Sequence, residues 1–363
     1  MAAMTSKERI PRIIRRQSVD RIGLGEGFWG DTIARWRKEG HLGESEDPER
    51  HFGIDTRDAG WVIPTANLDW KDQILEETDE HKLVLDGNGA KLRWWKGRSG
   101  TPEHVDFTVK DRRSWEEHAR PFLTDASTFR RRSNVDWCKS TRTSCDADGI
   151  CYKCISINVF ECMHPVCGHE HMLMGMIADP DWVHDMCNVY ADLIANCLEI
   201  MFAEGGAPDI MWFFEDMGFK ERPFMSPAMY KEFIQPAHVK TFAVAKRHNV
   251  PIVVHSCGFV EPLVPGLIEA GMDCLQAIET KAGMDLVRLK KAYGDRISFC
   301  GGMDVRTLET NDLALVQAEL DAKLPIAMAS GGYILHSDHS IPQSVDYKTY
   351  RFFRDRGLEM GTY

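Results

Sequence analysis

The chemistry-bearing stretch of this sequence is Val250–Gly258, VPIVVHSCG. Ile252, Val253 and Val254 are β-branched and apolar, the pattern of a short buried strand. That strand ends in His255-Ser256-Cys257-Gly258. Residues i and i+2 of a strand share a face, so the imidazole of His255 and the thiol of Cys257 point the same way. Imidazole with thiolate suits zinc. Two ligands do not make a metal site, and a buried cysteine beside a hydrogen-bonded core histidine is the competing reading. The pair acquires meaning only if other strands send matching groups to the same place.

Several do. Glu215 and Asp216 follow the apolar run 209–214, Glu279 follows 274–278, Cys300 and Asp304 follow 296–299, and His336, Asp338 and His339 follow 333–335. Cys300 would complete a His255, Cys257, Cys300 set with one position open, the pattern of a catalytic zinc. His339 is the competing third ligand, and Glu215 could add an oxygen to either set.

The elements that must position these groups alternate. From residue 179 onward the chain reads helix, strand, helix, strand, five times over, with strands at 209–214, 252–255, 274–278, 296–299 and 333–335. Such alternation predicts a parallel sheet. In a (β/α)8 TIM barrel reactive groups collect at the carboxyl ends of the strands. An open doubly wound sheet gathers ligands only at its switch point, so five loaded strand ends favour the closed α/β barrel. Upstream, the sequence predicts a helix over 5–17, a strand over 21–26 and a helix over 31–39. Gly25-Glu26-Gly27-Phe28-Trp29-Gly30 formally matches G-x-G-x-x-G, but no second strand ending in an acidic residue follows some twenty residues on. The glycines read instead as a tight strand-to-helix turn. Residues 60–110 read as an N-terminal elaboration of a single domain spanning 1–363. It includes a β-hairpin, Lys82–Leu85 and Lys91–Trp95 around Asp86-Gly87-Asn88-Gly89. Cys151 and Cys154 form a C-x-x-C on the next strand, where they face opposite sides. Cys162 and Cys167 lie further on, and a metal or redox role for the four is weaker than a packing role.

The net charge of −11 argues against a nucleic-acid partner. No 18-residue apolar run predicts a membrane span, and the N-terminus lacks the apolar core of a signal peptide. A cytoplasmic location follows as the expectation. Eleven cysteines in a reducing compartment are free, metal-bound or reactive, and such a thiol-rich interior fits an anaerobic host.

Thr5-Ser6-Lys7-Glu8-Arg9-Ile10 and Asp20-Arg21-Ile22, then the run from His255-Ser256-Cys257-Gly258 through Gly283-Met284-Asp285, Tyr293-Gly294, Gly301-Gly302-Met303-Asp304 and Gly331-Gly332-Tyr333 to Asp338-His339-Ser340-Ile341-Pro342, resemble the uroporphyrinogen decarboxylase superfamily. The resemblance implies a (β/α)8 barrel. True uroporphyrinogen decarboxylases carry an arginine-rich RQAGR motif after the first strand, where this chain has the acidic and aromatic Gly25–Gly30 segment. The other branch, the zinc-dependent, corrinoid-linked methyltransferases, resembles this chain in its His-x-Cys strand end. In that branch the third ligand is usually a late cysteine before Ile-Pro, a place held here by His339. The resemblance therefore implies Zn2+ at His255 and Cys257, with Cys300 or His339 third, and a corrinoid (cobalamin) carried by a partner protein. The expected reaction moves a methyl group from a small methylated donor, such as a methoxy-aromatic, to that corrinoid protein. Glu215 or Asp216 would protonate the leaving oxygen. A homodimer is compatible with this reading. The alternatives are a metal-independent decarboxylase of another carboxylic acid, using His339 and Asp216, and a non-catalytic protein that binds a small aromatic.

Overall fold

The computed structural model describes residues 3–97 and 100–363. Its strands in chain order are β1 (Gly23–Leu24), β2 (Thr56–Val62), β3 (Gln73–Glu77), β4 (His81–Leu85), β5 (Ala90–Trp95), β6 (Glu103–Phe107), β7 (Cys151–Ile157), β8 (Ile210–Phe214), β9 (Ile252–Ser256), β10 (Cys274–Ala277), β11 (Ser298–Gly301) and β12 (Tyr333–Leu335). Eight of them form one curled sheet in the order β1-β12-β11-β10-β9-β8-β7-β2, with every pairing parallel. Helices return the chain between successive strands from β7 onward. The predicted alternation after residue 205 is thus observed.

The two ends of the sheet meet at Asp55, just ahead of β2. Its backbone N–H donates to the Leu24 carbonyl of β1 at 2.9 Å, and its carboxylate accepts from Leu24 N–H at 2.7 Å. Arg9 and Arg21 supply the countercharge to this buried carboxylate, at 3.2 and 2.8 Å. A paired, fully hydrogen-bonded carboxylate is the form in which such burial is tolerated.

Alternate residues of the strands face inward. Cys151, Ile155, Ile210, Trp212, Val253, Cys274, Cys300 and Ile334 make one apolar cluster with Ile10, Ile13 and Ile14. The last three lie on the first helix, Ser6–Ile14, which therefore stops the amino-terminal end of the sheet. Thr5 caps that helix, and Thr5 with Glu8 form a reciprocal capping box. Pro11 sits inside the helix, where it forgoes the backbone bond to the Lys7 carbonyl.

The first strand is shorter than the six residues expected, two in all. β2 occupies Thr56–Val62, so the elaboration begins after it. The expected hairpin is present as β4 and β5, but it belongs to a four-stranded antiparallel sheet, β3-β4-β5-β6. β3, QILEE, is exposed at every position and lacks the alternation that announces a strand.

Helix Pro180–Gly205 is long and apolar enough to cross a membrane by length and composition, and 61% of its apolar window is buried inside this fold. Its inward residues Leu193, Ile194, Cys197, Leu198 and Met201 pack in the main core.

Candidate active site

A cavity of about 480 Å³ opens at the carboxyl ends of the parallel strands. Its wall includes Glu26, Trp29, Asp58, Lys153, Trp212, Phe214, His255, Cys257, Gln276, Cys300, His336 and His339.

β9 delivers His255 and Cys257 as the alternation requires. The thiol of Cys257 lies 3.3 Å from His255 Nε2, and Asp216 Oδ1 lies 3.4 Å from the same nitrogen. One donor atom from each of Asp216, His255 and Cys257 falls within 4.8 Å of the other two, the one such group of three among the described residues. Asp216 is held in place because its carboxylate accepts the backbone N–H of Cys257 at 2.7 Å. Gln276, the neighbour of His255 in register on β10, meets His255 Nδ1 through its amide oxygen. An N–H at Nδ1 leaves the Nε2 lone pair facing Cys257 and Asp216, the arrangement that orients a metal-ligating imidazole.

The donor set fits a divalent cation on chemical grounds. Burial pushes the Cys257 thiol well above its ordinary pKa, and the carboxylates of Asp216, Glu279 and Glu161 push it further. A thiolate and a carboxylate this close repel one another, and a bound cation reverses that sign.

The other expected residues separate. Cys300 is level with Gln276, which is level with His255, so Cys300 stands two strands away, about 10 Å at ordinary strand spacing. It lines the cavity, buried against Ile334 and Cys274, and Asp216 takes the third place in the cluster. Glu215 turns outward. It is fully buried, faces His238 Nε2 at 2.6 Å and accepts the N–H groups of Phe160 and Glu161. It does not reach the cavity, because the strand period that points Phe214 and Asp216 inward points Glu215 away. His339 does line the cavity, with its ring stacked 6.0 Å from Trp29.

Most of the acidic strand ends stitch loops together. Glu279 accepts the Gly258 N–H at 2.5 Å. Asp338 accepts from Thr280 and Val305, each at 2.8 Å. Asp304 caps the helix Val305–Glu309. Glu279 and Asp338 each fix the loop of a neighbouring strand, whereas Asp304 orders its own loop and binds Arg306.

Glu26 and Lys153 escaped the sequence reading of the site, and His336 was read there only as one of the polar strand-end groups. Glu26, at the end of β1, is buried and accepts from the Ser337 hydroxyl at 2.8 Å. Burial pushes its carboxyl up to about 8, so it holds a proton at neutral pH. His336 Nδ1 lies 3.2 Å from it, and burial pushes that imidazole down to about 4. Lys153 lies inside the sheet on β7, 3.0 Å from Asp58. A lysine at the inward parity of an otherwise apolar strand, between Cys151 and Ile155, was the available signal.

Fold and site define an α/β protein with its reactive groups at the mouth of a curled parallel sheet. Residues 160–357, more than half of the chain, match the family model described as uroporphyrinogen decarboxylase (URO-D). The chain belongs to that family. Over 146 residues it is 25% identical to a methylated-thiol–coenzyme M methyltransferase of Methanosarcina mazei; the match spans 40% of this chain and 37% of that relative. The chain thus matches little more than a third of this curated relative's length. A solved methyltransferase from Methanosarcina mazei superposes with a TM-score of 0.63 at 15% identity, over 97% of this chain and 99% of the other. That likeness shows the fold. A 2,3-dimethylmalate lyase reaches a TM-score of 0.35 at 10% identity, over 92% and 81% of the two chains.

Proposed function

We propose that this protein is a zinc-dependent methyltransferase that moves a methyl group from a small methylated donor to a corrinoid protein. The curled sheet is read as a (β/α)8 barrel, and 1–363 as one domain. The observation that carries the proposal is the convergence of His255 Nε2, Cys257 Sγ and a carboxylate oxygen of Asp216 within 4.8 Å of one another, where His255 and Cys257 line the cavity. The similarity to methyltransferases of Methanosarcina mazei supports the same reading.

Those three side chains would hold the metal, with Gln276 fixing the imidazole. Zinc bound there acts as a Lewis acid on the heteroatom that carries the methyl group. The chain's own residues supply the rest. Trp29, Trp212 and Phe214 give the donor an apolar wall. Glu26 holds a proton at neutral pH that the departing heteroatom can take. His336 stays neutral beside it and so adds no positive charge that would draw the proton off Glu26. His339 and Trp29 form the outer lip where the donor enters and the corrinoid partner meets the site.

The direct test mixes enzyme, cob(I)alamin and a panel of methoxy- and methylthio- compounds and follows the loss of the cob(I)alamin absorption band. Loss that requires Cys257 supports the proposal. No loss with any donor contradicts it. The alternative, metal-independent decarboxylation of another acid with His339 and Asp216 placing the substrate, draws on the family match. Carbon dioxide release that survives Cys257→Ala would favour it.

A further inference from the structure

We propose that Lys153 and Trp212 form a subsite for an anionic oxygen group, so that the methyl donor taken by this cavity carries a carboxylate. The inference rests on reading the cavity as the donor site.

Lys153 projects from β7 into the sheet interior, its side chain only 17% exposed. Its Nζ stands 4.3 Å over the ring of Trp212 and 3.0 Å from Asp58 Oδ1. Both Lys153 and Trp212 line the cavity. An ammonium offers three N–H donors, and its ion pair with Asp58 leaves donors for a ligand. Trp212 is 8% exposed, and its indole Nε1 is buried without an acceptor. Buried donors are almost always paired, and an orphan on a cavity wall points to an acceptor that arrives with the ligand. Asp58 is the more exposed partner, at 43%, and can turn toward solvent when another carboxylate takes its place on Lys153.

The spacing suits a flat donor. The Phe214 ring lies 5.1 Å from the His255 ring on one side and 6.1 Å from the Trp212 ring on the other. Aromatic surface therefore connects the metal-ligating end to the ammonium end. A donor laid along it presents its methyl group to His255 and Cys257 and its carboxylate to Lys153 and Trp212. An ammonium whose countercharge can be displaced favours an acid over an uncharged molecule.

Isothermal titration of the full chain, with no corrinoid protein and no acceptor present, reads occupancy of the cavity and not turnover. The probes are 4-methoxybenzoate against 4-methoxybenzamide, and 3-(methylthio)propanoate against its amide. At least one acid binds about tenfold or more tighter than its amide, as a hydrogen bond to a charged group implies. Trp212→Phe keeps the ring and loses about tenfold of that acid's affinity, while Lys153→Met abolishes the preference. Asp58→Asn tightens acid binding, a gain that a purely structural role for Asp58 does not give. Equal binding of acid and amide in both pairs overturns the inference, as does failure of both acids to bind. Tighter binding of (4-methoxyphenyl)trimethylammonium than of either acid also overturns it. If the acids are preferred but no methyl transfer occurs, the proposed function fails and this subsite stands.

Discussion

The carboxylate of Asp216, at the end of β8, accepts the backbone N–H of Cys257, beyond the end of β9, at 2.7 Å. One hydrogen bond thus ties two loops and places an oxygen, a nitrogen and a sulfur at one point. Asp216→Asn retains an amide oxygen for that bond but weakens the charge offered to a cation. It lowers zinc affinity more than it lowers stability, which parallel zinc titration and urea unfolding check.

Gln276 acts through His255. Removing the amide oxygen in Gln276→Ala frees the imidazole to rotate and to change tautomer. Loss of such an outer partner typically weakens metal binding about 10–100-fold. Competition with a zinc chelator measures it, and unchanged affinity would show that the imidazole is oriented by other means.

Gly258 has φ of +77°, and a Cβ there would come within 2.3 Å of the Gly218 carbonyl carbon. Gly258→Ala drives apart the loops that carry Asp216 and Cys257. It costs about 1–3 kcal/mol of backbone strain and reduces zinc content, read by thermal unfolding and metal analysis on one preparation.

Asp55 ties the start of β2 to Leu24 of β1. Asp55→Ala takes one carboxylate from Arg9, which keeps Asp20 at 2.7 Å, takes the partner of Arg21 and removes the bond to Leu24. The expected loss is about 1–3 kcal/mol, the cost of leaving a buried donor such as the Leu24 N–H unsatisfied. Urea denaturation checks it, and a loss below about 1 kcal/mol, the worth of an exposed pair, would mean that the tie lies elsewhere.

Glu26 makes stability depend on pH with a defined sign. Burial raises its carboxyl from 4.5 to about 8, so the fold binds a proton that the unfolded chain has released. Stability is full below the lower value and falls as pH rises through this window, by up to about 1.4 kcal/mol per pH unit. His336 works from the other side. Its value falls from 6.5 to about 4, so its contribution is present above 6.5 and lost as pH drops toward 4. Glu26→Gln flattens the urea midpoint between pH 6.5 and 8, whereas slopes parallel to the wild type would contradict the assignment.

The sheet was legible because its signal is local. Each late strand is a short apolar run bounded by a helix, and the His255 and Cys257 parity follows from the strand period alone. The side sheet was only half legible, since β3 carries no alternation. That Asp216 joins His255 and Cys257 was not legible because neighbouring strand ends are chemically alike. Glu215 and Asp216 are adjacent acids, and only the phase of β8 decides that one braces His238 while the other lies beside His255 and Cys257. Cys300 has the right atom at a strand end of the right height, but two strands too far around. Glu279 and Asp338 read as chemistry in sequence and act as clasps between loops, a role visible only once the loops are neighbours; Asp304 caps its own helix.

Metal content measured on wild type and on the single variants His255→Ala, Cys257→Ala, Asp216→Ala and Cys300→Ala tests the central claim most directly. The account predicts about one zinc per chain in the wild type and in Cys300→Ala, and substantial loss in each of the other three. Equal zinc in all five proteins, or loss confined to Cys300→Ala, would contradict it.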